Sequence, residues 1–221
     1  RSTGSTYTDS VSNVWTLTVA DITADATRPK VASAESLSLP GVTANYVTVA
    51  PAFSAGALDV QVDVDTWTTD DLNSVAVIGQ WGSGQKSWLF ASDSASDNFR
   101  YYTSSDGTTT EGNHGTSESV AAHRYWRHIK SGVNGTFYYS DDGVTYTQDT
   151  TYTSLEATLH NSTTAVLAYT QNGGWYAEVT NRKLEVYSGG ALVARLFAGD
   201  ADVDADSWVD PATGHTVTVT R

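Results

Sequence analysis

Between residues 58 and 65 apolar and polar side chains alternate without a break, as Leu58-Asp-Val-Gln-Val-Asp-Val-Asp65. Successive side chains of a strand point to opposite faces. Leu58, Val60, Val62 and Val64 therefore share a core side, and Asp59, Gln61, Asp63 and Asp65 the solvent side. Similar signals recur down the chain. Val75-Ala-Val-Ile-Gly79 is short and apolar, as a buried strand would be, and Ser87-Trp-Leu-Phe-Ala91 and Phe99-Arg-Tyr-Tyr-Thr103 follow between polar loops. Trp126-Arg-His-Ile-Lys130, a short turn and Gly135-Thr-Phe-Tyr-Tyr139 read as paired strands, with a tight turn predicted at Asp142-Gly143 because both positions tolerate positive φ. Later strands are predicted at Ala165–Tyr169, Tyr176–Thr180, Arg182–Tyr187, Ala191–Phe197 and His215–Thr220. No window of helix length carries a 3.6-residue period, so many strands with Gly, Ser, Asp and Asn turns predict a two-sheet sandwich. Trp88 and Trp126 are its expected core tryptophans.

The first 35 residues read differently. Residues 1–12 are rich in Ser and Thr and lack an apolar period, Val14-Trp-Thr-Leu-Thr-Val19 is one strand signal, and a polar stretch runs on to Arg28-Pro29. Residues 1–35 are thus expected to be an arm or linker, and residues 36–221 the sandwich. A faint echo between Asp9–Leu17 and Asp210–Thr218 needs a one-residue shift and does not establish a repeat.

With 221 residues the chain suits one large β domain, and its 17% charged content fits a sandwich better than a helical bundle. Twenty-five acidic against twelve basic residues leave a formal charge of −13, which argues against nucleic acid and anionic lipid as partners. The absence of cysteine excludes disulfides and thiolate metal sites. No stretch approaches the roughly 20 apolar residues that span a bilayer. No signal peptide is read, and Arg1 in place of methionine is taken as a fragment, a processed chain or one segment of a longer protein.

The phrase Trp126–Lys130 followed by Phe137-Tyr-Tyr-Ser-Asp-Asp-Gly-Val-Thr-Tyr-Thr147 resembles the central hairpin of laminin-G-like domains in the concanavalin-type jelly-roll superfamily. Leu58–Asp65 with Trp67, Ile78-Gly-Gln-Trp81 with Gly82-Ser-Gly84, and Glu178–Arg182 through Val186–Gly190 to Leu192-Val-Ala194 are similar to further elements of that pattern. So is the closing Asp210-Pro-Ala-Thr-Gly214, although Val217 stands where tryptophan is usual. The resemblance covers residues 36–221 and implies an all-β, two-sheet antiparallel jelly roll. The nearest sub-pattern is similar to minor tail or fibre proteins of phages infecting actinobacteria. It implies a non-enzymatic virion-surface, extracellular module that binds host-surface polysaccharide and meets neighbouring virion proteins through its arm. The alternatives are a purely structural capsid-decoration or tail-assembly protein and, more remotely, a glycoside hydrolase. A fibre setting further implies a homo-oligomer, most simply a trimer.

Candidate chemistry is sparse. Gln80, Trp81, Asn172, Trp175 and Tyr176 lie in or beside Gly-, Ser- and Asn-rich segments. There a flat ring can stack on a pyranose while amides bond its hydroxyls, so these are the expected glycan-binding residues. Asp202, Asp204 and Asp206 alternate within Asp200–Asp206 and form a candidate calcium loop, since calcium takes six to eight oxygens, though the sharp-turn glycine and bidentate glutamate of an EF-type loop are missing. Asp70-Asp71 and Asp93 with Asp97-Asn98 are weaker versions of the same idea. Asp59, Asp63 and Asp65 share one strand face, and glycosidases need two carboxylates about 5–9 Å apart. Solvation of an amphipathic strand explains them more simply. His114, His123, His128, His160 and His215 show no ligand spacing, and no nucleophile or phosphate-loop motif is present. Asn134-Gly-Thr136 and Asn161-Ser-Thr163 match the glycosylation sequon by chance if the chain is bacterial or viral.

Overall fold

The computed structural model describes residues 5–8, 14–17, 30–33, 36–39, 46–67, 75–93, 97–168, 179–197 and 207–220. Its strands in chain order are β1 Ser5–Thr8, β2 Val14–Leu17, β3 Lys30–Ser33, β4 Ser36–Leu39, β5 Tyr46–Ala50, β6 Leu58–Trp67, β7 Val75–Gln80, β8 Trp88–Asp93 and β9 Asn98–Thr103. They continue with β10 Gly112–Gly115, β11 Tyr125–Ser131, β12 Asn134–Ser140, β13 Thr147–Tyr152, β14 Val166–Ala168, β15 Val179–Ser188, β16 Ala191–Phe197, β17 Ser207–Val209 and β18 Thr216–Thr220. Among the described residues the one helical element is a 3-10 turn, Val120–Ala122, capped by the Ser119 hydroxyl.

One large sheet runs β10-β9-β8-β7-β14-β5-β18-β17, and the other β13-β12-β11-β6-β15-β4-β3, with β16 also on β15. Every pairing is antiparallel. The fold is therefore the all-β antiparallel jelly-roll sandwich expected, with an N-terminal extension. That extension holds more strand than the sequence signalled. β1 and β2 pair with each other from Ser5↔Leu17 to Thr8↔Val14, and β3 adds to β4 at a sheet edge. Thr6, Tyr7 and Thr8 are strand formers without an apolar period to announce them.

Alternation sets the core. Leu58, Val60 and Val62 of β6 are buried as the pattern predicts. They meet Val77 and Ile78 of β7, Phe90 of β8, Phe99 of β9, Phe137 of β12, Leu184 and Val186 of β15, and Val217 of β18 in one cluster. Trp88 and Trp126 are both fully buried. The indole of Trp126 meets Phe99 edge-on at 5.3 Å, and its N–H donates to the His123 carbonyl at 2.9 Å. Truncating such a residue to alanine costs about 3–5 kcal/mol. Val217, where the family pattern has tryptophan, is a core residue of the last strand.

Toward one edge of the sandwich the core turns polar. His128 of β11 is fully buried and stacks on Tyr101 of β9 at 3.9 Å, joining the two sheets. Its Nε2 is hydrogen-bonded to the Tyr152 hydroxyl, and Tyr152 in turn stacks on His114 at 4.1 Å. Gly135 makes this possible, since a Cβ there would lie 2.3 Å from the Tyr152 ring. Buried Lys130 donates to the Gly132 carbonyl at 2.9 Å, and its pKa is lowered by burial.

Two sequence expectations change in detail. The hairpin at Asp142-Gly143 exists, but β12 and β13 are last paired at Tyr139↔Thr147, so the loop is longer than a two-residue turn. Side chains replace ladder bonds there. Asp142 Oδ1 accepts from the Val144 and Thr145 amides, each at 2.8 Å, and Gly143 adopts φ 72°. In addition, the strand boundary expected between Thr180 and Arg182 is absent among the described residues, residues 176–178 lying outside them. Residues 179–188 are the single strand β15, whose register against β6 shifts near Asn181. A bulge breaks the alternation and so mimics a strand boundary.

Candidate functional site

The outer face of the second sheet carries a concentrated array of polar and aromatic side chains. Strand parity puts it there. Because Val60 and Val62, Trp126 and His128, Phe137, and Leu184 and Val186 point inward, their neighbours Asp59, Gln61 and Asp63, Tyr125 and Arg127, Tyr138, and Lys183, Glu185 and Tyr187 point outward. Register then aligns them across strands, with Tyr138↔Arg127 between β12 and β11, Arg127↔Gln61 between β11 and β6, and Gln61↔Glu185 between β6 and β15. A second row runs Tyr125↔Asp63 and Asp63↔Lys183.

Two arginine clamps brace this face. Arg127 donates Nε to Asp59 Oδ1 at 2.9 Å and Nη2 to Oδ2 at 2.6 Å. Arg124 donates to Asp63 in the same way, at 2.8 and 3.3 Å. Bidentate pairs of this kind fix both partners in orientation as well as in charge. Gln61 adds an amide bond to Asp59 Oδ2 at 3.2 Å. Lys183 lies 3.1 Å from Glu185 Oε2, which also accepts the Tyr187 hydroxyl at 3.1 Å. Tyr146, from the loop after β12, holds its ring 5.8 Å from the Arg127 guanidinium, and Arg124 lies 4.9 Å over Tyr125.

The electrostatics follow from these contacts. The hydrogen bond to Asp59 raises the Arg127 pKa. Burial, and then the Arg127 charge acting the opposite way, leave Tyr146 above its ordinary value. Tyr187 is raised by burial and by the Glu185 carboxylate beside it. A carboxylate clamped by two guanidinium N–H groups is an oriented acceptor rather than a free acid or nucleophile. The face as a whole can stack rings and exchange hydrogen bonds with neutral hydroxyl groups.

Of the residues expected to bind glycan, Gln80 and Trp81 lie away from this face. Gln80 was expected beside an exposed loop, yet it ends β7 and is fully buried. Its Nε2 donates to the Phe53 and Thr164 carbonyls at 3.1 and 3.2 Å, and its Oε1 accepts the Trp88 indole N–H at 2.8 Å. Trp81 is only 6% exposed and packs with Ala76, Leu89 and Ala91, its ring 6.3 Å from Tyr102 and 5.5 Å from the Lys86 ammonium. An indole there covers the apolar outer stripe of β7 and β8. Asn172, Trp175 and Tyr176, like Asp70, Asp71, Asp202, Asp204 and Asp206, lie outside the described residues.

Of the other acidic candidates, Asp93 pairs with Arg100 at 2.5 Å, and Asp97 accepts the Ser119 hydroxyl. Among the described residues no three His, Asp or Glu side chains converge as metal ligands. The histidines are dispersed. His123 meets Asp141 at 2.7 Å, His114 meets Ser154 at 2.9 Å, and His128 is in the core.

Sequence reasoning found Asp59, Gln61 and Asp63 as an outward row but missed their partners. Arg127 sits more than sixty positions away from Asp59. The usable signal was the second alternation, Tyr125-Trp-Arg-His128, which puts the arginine opposite the core tryptophan.

No family model matches the chain, and no curated protein matches it. Among solved structures the chain is similar to a heptameric SAP-like pentraxin from Limulus polyphemus, at 11% identity and a TM-score of 0.49, over 83% of this chain and 93% of that one. It is also similar to a botulinum neurotoxin type C, whose cell entry depends on interaction with two ganglioside molecules. There the identity is 8% and the TM-score 0.37, over 76% of this chain and 37% of that one. At these identities the likeness concerns chain path alone.

Proposed function

We propose that this chain is a non-enzymatic glycan-binding module whose contact surface is the outer face of β12, β11, β6 and β15. The observation that carries the reading is the Asp59–Arg127 clamp, with tyrosine beside it on the sheet face. Pre-oriented donors and acceptors beside aromatic rings are what a hydroxyl-rich ligand requires. They also lower the ordering cost of binding, because the side chains are already held. With Asp59 and Asp63 both engaged by arginine, the face offers structure for recognition rather than a free acid–base pair. The setting we propose is a virion surface, on the strength of the sequence resemblance, with host polysaccharide as ligand and repeated copies raising a weak affinity. Arginine holds Asp59 and Asp63 on this face, so binding is expected to proceed without calcium.

The test is retention of the purified chain on immobilised bacterial cell-wall polysaccharides, with calcium and with chelator. Saturable binding is expected in both buffers, and Arg127→Ala is expected to weaken it about tenfold or more. Wild-type binding in Arg127→Ala overturns the site. Absence of binding by a multimerised wild-type chain supports a ligand-free structural module instead.

A further inference from the structure

The row Tyr138–Arg127–Gln61–Glu185 crosses four adjacent strands, and each member keeps one polar atom without a partner. Arg127 uses Nε and Nη2 on Asp59 and leaves Nη1 unengaged. Gln61 uses its amide nitrogen and leaves Oε1. Glu185 takes both its bonds on Oε2 and leaves Oε1, and the Tyr138 hydroxyl has no hydrogen bond. None of the four is an orphaned buried atom, so each is open to solvent.

From this row we infer the ligand class: an uncharged, linear polysaccharide laid across the strands, contacted internally along its length rather than at its end. The inference rests on the glycan-binding reading above and adds to it the charge, shape and direction of the ligand. Three features argue for it.

The first is charge. Arg124, Arg127 and Lys183 are matched by Asp63, Asp59 and Glu185 in three ion pairs. Among the described residues these three pairs balance one another's charge, in a molecule of charge −13. An anionic polymer meets no local attraction here and a repulsive molecule behind it.

The second is the pattern of free atoms. A hydroxyl, an N–H donor, an amide oxygen and a carboxylate oxygen follow in order. Sugar hydroxyls both donate and accept, so a polyhydroxylated ligand satisfies all four, and the charge balance above is what separates a neutral polymer from an anionic one.

The third is shape. Strands lie about 4.8 Å apart, so the row spans roughly 14 Å of open sheet. A single sugar does not reach across it, whereas a short run of linked pyranoses does. Tyr146 and Tyr187 lie beside the row, near Arg127 and Glu185.

The experiment is affinity electrophoresis of the intact chain through gels containing dextran or yeast mannan, as neutral probes, or alginate or polygalacturonate, as anionic ones. Each gel is run at low and high salt. Oligosaccharides of increasing length from the retarding polymer are then titrated calorimetrically. Retardation by a neutral polymer that salt hardly changes is expected, with affinity rising with length before levelling off. Gln61→Ala combined with Tyr138→Phe removes two of the free atoms while keeping the ring and both arginine clamps. This variant is expected to keep the wild-type melting temperature and to lose about tenfold in affinity.

Binding restricted to the anionic polymers and abolished by salt overturns the ligand class but leaves glycan binding standing. A monosaccharide bound as tightly as the longest oligomer overturns the extended mode. Undiminished binding by the double variant overturns the row as the contact. No retardation by any polymer overturns this inference, and failure on cell-wall polysaccharides as well overturns the reading on which it rests.

Discussion

His128 illustrates how one residue ties pH to the fold. Its imidazole is sealed between Tyr101 and Phe137, with Tyr152 on Nε2 and Lys130 and His114 acting on it. Burial first, and then those two neighbours, push its pKa well below the ordinary value. Tyr101 and Tyr152 are themselves raised by burial and stay neutral, and Glu156 acts on Lys130 rather than on the imidazole. The folded protein therefore holds His128 neutral, whereas the unfolded chain protonates it near pH 6.5. Below that pH the unfolded state binds the extra proton, so stability is complete above about 6.5 and declines as pH falls. Denaturant midpoints at successive pH values are expected to drop on acidification in the wild type and to drop less in His128→Phe. That variant also loses about 1–2 kcal/mol at neutral pH, because the Tyr152 hydroxyl is left without its partner. Period-two reading places His128 on the same face as Trp126, so its burial was legible. Its stack on Tyr101 was not, because that requires knowing which strand of the opposite sheet lies beneath it.

At the scale of elements, two hairpins repeat one local solution. In Ser104-Ser-Asp-Gly107 and Ser140-Asp-Asp-Gly143, the serine hydroxyl accepts the glycine amide, at 3.1 and 3.0 Å. The aspartate Oδ1 then accepts the next two amides, at 2.7 and 2.7 Å in the first and 2.8 and 2.8 Å in the second. Both glycines have positive φ, at 83° and 72°. These amide bonds hold the Asp142 pKa down at about 2 and push Asp106 lower still. The stabilisation from a depressed carboxylate is present above the unfolded value near 3.9 and is lost as pH falls through the folded one. An NMR titration should accordingly show Asp142 ionised down to about pH 2, while Asn substitution removes the charge and weakens the loop at neutral pH. Gly143→Ala is expected to destabilise by about 1–2 kcal/mol for the left-handed backbone alone. Its Cβ would in addition lie 2.9 Å from the Tyr125 ring, at the margin of the candidate face. The Asp-Gly pair announced a turn in the sequence. It did not announce the loop length, because side-chain acceptors rather than a strand ladder satisfy those amides.

Across the whole molecule, what sequence pattern conveys is parity, and what it omits is register. Parity sufficed for the two-layer sandwich, for Leu58, Val60 and Val62 in the core, and for the outward turn of Asp59, Gln61 and Asp63. The binding face is instead a product of register among β12, β11, β6 and β15, strands drawn from distant parts of the chain. Outward carboxylates look the same in sequence whether water or arginine receives them. Aromatics next to glycine drew attention to Trp81, which the structure uses to cover an apolar stripe. The distinction between a solvated strand and a recognition face lies in the two clamps, and it can be measured. Asp59→Asn with Asp63→Asn removes both carboxylates while leaving Arg124 and Arg127 in place, so two balanced pairs become net positive on a protein that remains strongly acidic overall. Charges separated by less than a Debye length of about 10 Å act together at low salt and are screened at high salt. This variant is expected to acquire retardation by alginate that high salt removes, and to lose affinity for neutral polymer as the freed guanidiniums change orientation. If alginate retardation stays absent at low salt, groups other than Asp59 and Asp63 neutralise the arginines, and the two clamps do not set the charge of the face.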